Sequence, residues 1–197
     1  MVPKLVALIV YGILMSIAYF GDNLVNSIEP RYYALRGISD STLHCLVSVL
    51  TWVLVYYHSG SKCYVLPHLG LECLLAGVVG SIVDVDHFIV ARTFSVQSAI
   101  THVSISRPFL HCTSLWIIIT WLLSLFHHNL AILIFTSVVS HHIRDASRRG
   151  LWFYPLFSTP PLPTVFYLSL MLLLPVISSQ CLRPFLNKNH SKDIFLV

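Results

Sequence analysis

The chain has 197 residues, 56% of them hydrophobic and only 10% charged, with a mean hydropathy of +0.77. Soluble domains carry about a quarter charged residues, so the composition excludes an ordinary water-soluble globule and makes lipid the expected solvent. The net charge is +4 with histidine neutral, and the basic residues are spread through connecting segments instead of forming the patch that nucleic-acid binding requires.

From the N-terminus, Lys4 precedes an apolar run with no convincing small-residue cleavage site. The run at about 5–24 therefore reads as a retained membrane helix and not as a signal peptide. Further apolar runs at 40–57, 66–84, 109–126, 129–143 and 164–180 approach the roughly 20 residues that span a hydrocarbon core about 30 Å thick. The second begins at Ser39-Asp40-Ser41, where Asp40 fits the role of an N-terminal cap. In the third, Ala76 and Gly80, and Gly77 and Ser81, stand four apart, a small-residue stripe that lets a neighbouring helix approach. After Asp145 the chain turns irregular at Gly150 and again over Ser158 to Pro163, a run that cannot continue a helix and predicts a re-entrant or surface loop. The expected fold is an all-α, polytopic bundle of about six transmembrane helices, one multi-pass membrane domain over 1–197. The five cysteines, Cys45, Cys63, Cys73, Cys112 and Cys181, form no CxxC pair, which indicates neither a disulfide framework nor a zinc knuckle.

With six spans, the connections after the first, third and fifth share one side of the membrane. That side receives Asp22, Glu29, Asp40, Asp84, Asp86 and Asp145, six of the eight carboxylates, together with His44, His87, His111, His141 and His142. Ionisable groups at membrane depth cost several kcal/mol unless paired or facing a wet cavity, so they mark function by default. His141 and Asp145 are four apart and Asp84 and His87 three apart, so each pair shares a face of a continuous helix. Imidazole and carboxylate converging in this way can bind a divalent ion such as Zn²⁺ or Mn²⁺. The candidate ligands are His44, Asp86, His87, His111, His141 and Asp145, with Asp84 as general base or outer partner and Arg107 as a donor to an anionic substrate oxygen. His142 should diverge from His141 by roughly 100° and stand outside the site. His58, His68, His102, His127, His128 and His190 have ordinary structural readings. Arg144, Arg148 and Arg149 read as interfacial anchors or, for Arg144, as a second substrate donor.

The segments Ser81-Ile82-Val83-Asp84-Val85-Asp86-His87-Phe88, Arg107-Pro108-Phe109-Leu110-His111-Cys112 and Ser140-His141-His142-Ile143-Arg144-Asp145, with Gly150-Leu151-Trp152 following, closely resemble the transmembrane protein 267 family of animals over roughly residues 35–168. The order GHxxxS, PDxDH, HRGxTHS and SHxxxD of the YdjM-type membrane-bound metal-dependent hydrolases is more distantly similar. His44 takes the place of the first histidine, Asp84, Asp86 and His87 the DxDH positions, Arg107 and His111 the arginine and second histidine of HRGxTHS, and His141 and Asp145 the SHxxxD positions. Val83, Ser106, Pro108, Leu110 and Cys112 depart from that pattern. The second likeness implies metal-dependent hydrolysis of an ester or phosphoester, for which membrane lipid is the natural substrate at an interfacial site. The residues equally allow a non-catalytic scaffold with a structural His/Asp network; transport would need charges along a midplane path and paired broken helices, and neither is apparent.

Overall fold

The computed structural model describes the backbone of residues 4–60, 66–103 and 107–193, and their side chains except at 66, 67, 100, 102, 103 and 183–193. Cys63 and Ser106 lie outside the described residues, as do the side chains of His102 and His190. The chain is an α-helical bundle: α1 (Lys4–Ser27), α2 (Tyr33–Ser59), α3 (Leu66–Ile82), α4 (Asp86–Ala91), α5 (Val96–Val103), α6 (Thr113–Ser124), α7 (His128–Arg149) and α8 (Thr164–Asp193). A two-residue antiparallel hairpin, β1 (Trp152–Phe153) with β2 (Phe157–Ser158), follows α7.

Four helical runs are long and apolar enough to cross a membrane: Lys4–Ser27, Tyr33–Ser59, His68–Ala91 and Thr164–Leu182. The other two expected spans look different. Pro108 is extended and Phe109–His111 forms a 3-10 turn, so α6 starts only at Thr113 and its 12 residues reach about 18 Å, short of a full crossing. The run expected over 129–143 instead belongs to a 22-residue helix, α7, which packs against α2, α3, α6 and α8 and buries polar side chains on several faces. Gly150, at φ +72°, ends it. A Cβ there would stand 2.0 Å from the carbonyl oxygen of Thr159, so only glycine lets the loop after the hairpin lie against the helix end.

The bundle is apolar outside and partly polar within. Leu8, Ile9, Ile118, Trp121, Phe166 and Ile177 are exposed on its perimeter, whereas Ser48, Thr51, Thr136, Ser137, Ser140 and Ser179 are buried between helices. Lipid gives helices no hydrophobic reason to associate, so close packing and interhelical hydrogen bonds must hold them. Thr136 donates to Ser178 Oγ at 2.9 Å and Ser48 lies 3.0 Å from Ser140 Oγ. Two apolar clusters complete the interior: Leu14, Val47, Leu54, Ile143 and Met171 join α1, α2, α7 and α8, and Trp52, Val55, Ala76, Leu133 and Leu182 join α2, α3, α7 and α8.

The small-residue stripe of α3 faces α2. A Cβ at Gly77 would come within 2.7 Å of Cys45 Sγ, and one at Gly80 within 2.7 Å of Ser48 Cβ and 3.2 Å of the His44 carbonyl oxygen. The stripe is packing, and it also delivers the Gly80 carbonyl to α7. Gly80→Ala is therefore expected to destabilise the protein in detergent by about 1–3 kcal/mol through overpacking. Gly12→Ala, with nothing within 4 Å of the added Cβ, is expected to change it by less than about 0.5 kcal/mol. Thermal unfolding of the two variants side by side checks this.

Candidate metal centre

Three features of the chain build the site. The helix α3 tightens at Ile82 into a 3-10 turn, Val83–Val85, before α4 begins at Asp86. In such a turn residues three apart eclipse, which brings Asp84 Oδ1 within 3.2 Å of His87 Nε2. On α7, His141 and Asp145 point the same way, one turn apart, with Nε2 to Oδ2 at 3.7 Å. The third feature is the extended Pro108 and the turn after it, which carry His111 into the gap between these two elements.

His44, from α2, completes the group. Its Nε2 is 3.4 Å from Asp145 Oδ1, and its ring stacks on His141 with centroids 3.7 Å apart. His111 Nε2 lies 3.4 Å from Asp145 Oδ2, 3.6 Å from Asp84 Oδ1 and 3.3 Å from His141 Nε2. His141 Nε2 is also 3.6 Å from Asp84 Oδ1. His44, Asp84, His141 and Asp145 form one set of ligand atoms within 4.8 Å of one another, and Asp84, His87 and His111 form a second.

The outward nitrogens of His141 and His111 face acceptors. His141 Nδ1–H donates to the Gly80 carbonyl at 2.7 Å. Asp86, fully buried, accepts the Leu110 N–H at 2.7 Å through Oδ2, which also faces His111 Nδ1 at 3.4 Å, while its Oδ1 faces His87 Nδ1 at 3.4 Å. Asp86 thus sits behind the imidazoles, and Asp84 in front of them. Neither ring nitrogen of His44, nor His87 Nδ1, nor Asp86 Oδ1 has a hydrogen-bond partner among the described residues. For His111, outside the four spans, burial disfavours the charged ring, but Asp145, Asp84 and Asp86 outweigh it and hold the imidazolium well above its usual pKa.

His142 turns aside. Its Nε2–H donates to the Leu110 carbonyl at 3.0 Å and Nδ1 accepts the Thr113 hydroxyl at 3.1 Å, so both nitrogens are satisfied away from the carboxylates. Two histidines at the far end of the bundle have ordinary partners: His58 Nε2 meets the Tyr11 hydroxyl at 2.7 Å and His128 Nε2 donates to the Cys181 carbonyl at 3.2 Å. Glu29 forms a surface pair with Arg31. Arg107 donates to the Arg149 carbonyl, tying the segment before His111 to the C-terminal end of α7.

Behind the cluster lies an ion-pair network that the sequence did not announce. Asp40 is not a cap: α2 begins at Tyr33 and Tyr32 occupies the cap position, which places Asp40 two turns inside the helix. Its Oδ1 is 2.7 Å from Arg144 Nη2, which also meets Asp22 Oδ1 at 2.8 Å. Arg144 is fully buried and committed to α1 and α2, so it is no substrate donor. Arg148 spans Asp40 Oδ2 at 3.3 Å and Asp145 Oδ1 at 2.5 Å, joining the network to the cluster. The signals for it were Asp22 in an apolar helix and two arginines four apart on α7.

The fold and this polar interior define an integral, multi-pass membrane protein. No family model and no solved structure matches the chain. Curated relatives called transmembrane protein 267 do: that of Mus musculus is 39% identical over 154 residues, covering 74% of this chain and 68% of the relative. Those of Xenopus laevis and Bos taurus are 34% and 32% identical with the same coverage. The chain belongs to the transmembrane protein 267 family.

Removing Arg144 would take from Asp22 its ion-pair partner and leave Asp40 with Arg148 alone. Arg144→Met is expected to lower stability by about 3 kcal/mol or more, the usual cost of breaking a buried pair, and adding Asp22→Asn and Asp40→Asn to recover part of the loss. Detergent-phase unfolding measures both; a loss below about 1 kcal/mol would make the network incidental.

Proposed function

We propose that the cluster is a divalent-metal centre and that the protein is a membrane-embedded metal-dependent hydrolase acting on an anionic, lipid-like phosphoester. The observation that carries the metal reading is the spacing. Four imidazole Nε2 atoms approach Asp84 and Asp145 at 3.2–3.7 Å, mostly longer than the roughly 2.7–3.2 Å of good hydrogen bonds. Donors about 2.1 Å from a tetrahedral ion stand roughly 3.4 Å apart. The tautomer agrees: with His141 Nδ1–H donating to Gly80, a neutral His141 aims its Nε2 lone pair at carboxylate oxygens. That contact repels unless a cation or proton lies between them, and a ligating histidine ordinarily donates its other N–H to a carbonyl or carboxylate.

This geometry exchanges two roles expected from the sequence. Asp84, whose Oδ1 faces three Nε2 atoms, acts as a ligand; Asp86, facing the Nδ1 atoms of His87 and His111, orients those rings from behind. His44, His87, His111, His141 and Asp145 keep the ligand role, and Arg107 becomes a positioning residue for His111. When bound, a divalent ion supplies a nucleophilic water near neutral pH and polarises the substrate oxygen.

Substrate access follows from one cavity. A space of about 680 Å³ opens beside Asp84 and His87, within the usual range for ligand sites. Its apolar wall includes Val25, Ile38, Phe88 and Val96, and Arg36, Arg148 and Arg149 also line it. These residues belong to the end of α1, the start of α2, α4, α5 and the end of α7, a position at the interface where an acyl chain and an anionic headgroup can enter together. The arginines favour a phosphoester over a neutral ester. Asp84 borders both the imidazoles and the cavity, so a ligand of the centre faces the space that a substrate would enter.

Elemental analysis of protein purified in detergent should find stoichiometric divalent metal, lost in His141→Ala and Asp145→Ala and retained in His142→Ala. Because the ion must displace the proton favoured on His111, affinity should fall on acidification. Phospholipid turnover should require the metal and fall at least about 100-fold in Asp84→Asn, together with metal content. Metal without turnover of any phospholipid would leave a structural centre; no metal in folded protein would remove the whole reading.

A further inference from the structure

Resting on the metal reading above, we infer that the centre is dinuclear, with Asp84 as the ligand shared by two divalent ions. The donors outnumber one ion. Six side chains, His44, Asp84, His87, His111, His141 and Asp145, present ligand atoms to the same small volume, whereas a structural zinc takes four. Those atoms also fall into two sets with Asp84 common to both.

The rings are arranged in the same two halves. His44 and His141 stack at 3.7 Å with planes 20° apart, and His87 and His111 stack at 4.7 Å with planes 21° apart. Each stacked pair turns its Nε2 atoms towards the carboxylates. Asp84 Oδ1 lies 3.2 Å and 3.6 Å from the two Nε2 atoms of the second pair and 3.6 Å from His141 Nε2 of the first. Asp145 closes the first half through His44 at 3.4 Å and reaches the second through His111 at 3.4 Å. A lone ion bound by His111, His141, Asp84 and Asp145 would leave His44, completely buried, with neither nitrogen engaged in a hydrogen bond. Two ions give every one of the six a ligand role, and His111 Nε2, 3.3 Å from His141 Nε2, keeps the two sites adjacent. Adjacent ions about 3.5–4 Å apart form the clamp that stabilises both the attacking and the leaving oxygen of a phosphoester.

The test uses the full chain in detergent, saturated with Mn²⁺ and freed of excess by gel filtration. We expect two Mn²⁺ per chain by elemental analysis and an exchange-coupled electron paramagnetic resonance signal. His87→Ala should retain one ion, lose the coupling and give an isolated Mn²⁺ spectrum. One ion per wild-type chain, with an uncoupled spectrum, would overturn the dinuclear assignment and leave the metal reading intact. No bound Mn²⁺, Zn²⁺ or other divalent ion in folded wild-type protein would overturn both. The wild-type count decides the matter even where a variant fails to fold.

Discussion

The hydrogen bond from His141 Nδ1–H to the Gly80 carbonyl, 2.7 Å long, is the constraint on which the site depends. It spans two helices and fixes a tautomer. A helix carbonyl can reach a side chain on a neighbouring helix only if the two backbones come close. Here α3 packs on α7, while its Gly77 and Gly80 lie tightly against Cys45, Val49 and Ser48 of α2. Once Nδ1 is committed, Nε2 must face Asp84 and Asp145. The packing of three helices and the chemistry of the cluster are therefore one fact, and a methyl group at Gly80 would disturb both.

A bundle in lipid cannot rely on burial of apolar surface to hold its interior, and this one places its strongest interactions there. The network of Asp22, Asp40, Arg144 and Arg148 ties α1, α2 and α7 together directly behind the cluster. Arg148 reaches Asp145, so the carboxylate that faces His44, His111 and His141 is held in place by a cation on its other side. Truncating any member leaves a buried charge short of a partner, which is why such networks stay rigid once formed. The cluster meets the larger cavity at Asp84 and His87.

The helical membrane fold and the convergence of His44, Asp84, Asp86, His87, His111, His141 and Asp145 on one end of the bundle were legible in the sequence. Apolar run length gave the first. The second followed from spacings within one helix, His141 with Asp145 and Asp84 with His87, and from the alternation of sides that successive crossings impose. What could not be read was anything set by local backbone geometry or by packing between distant segments. The 3-10 turn at Val83–Val85 decides which of Asp84 and Asp86 faces the imidazoles, and no periodicity argument distinguishes them. Asp40 resembled a cap because Ser39-Asp40-Ser41 precedes an apolar run, but the helix starts at Tyr33 and Asp40, two turns in, pairs with Arg144 and Arg148 of α7. The shortened α6 has a similar origin: hydropathy includes Phe109 and Leu110, while Pro108 and the turn after it serve to place His111.

In the proposed centre, histidine nitrogen and carboxylate oxygen hold a divalent ion at the meeting point of α2, α3 and α7. X-ray absorption at the metal edge of the purified protein reports what surrounds the ion. The expected spectrum has nitrogen and oxygen neighbours at about 2.0–2.2 Å, with the more distant scattering of at least two imidazole rings. A shell dominated by sulfur at about 2.3 Å, or an ion bound only by water, would contradict it.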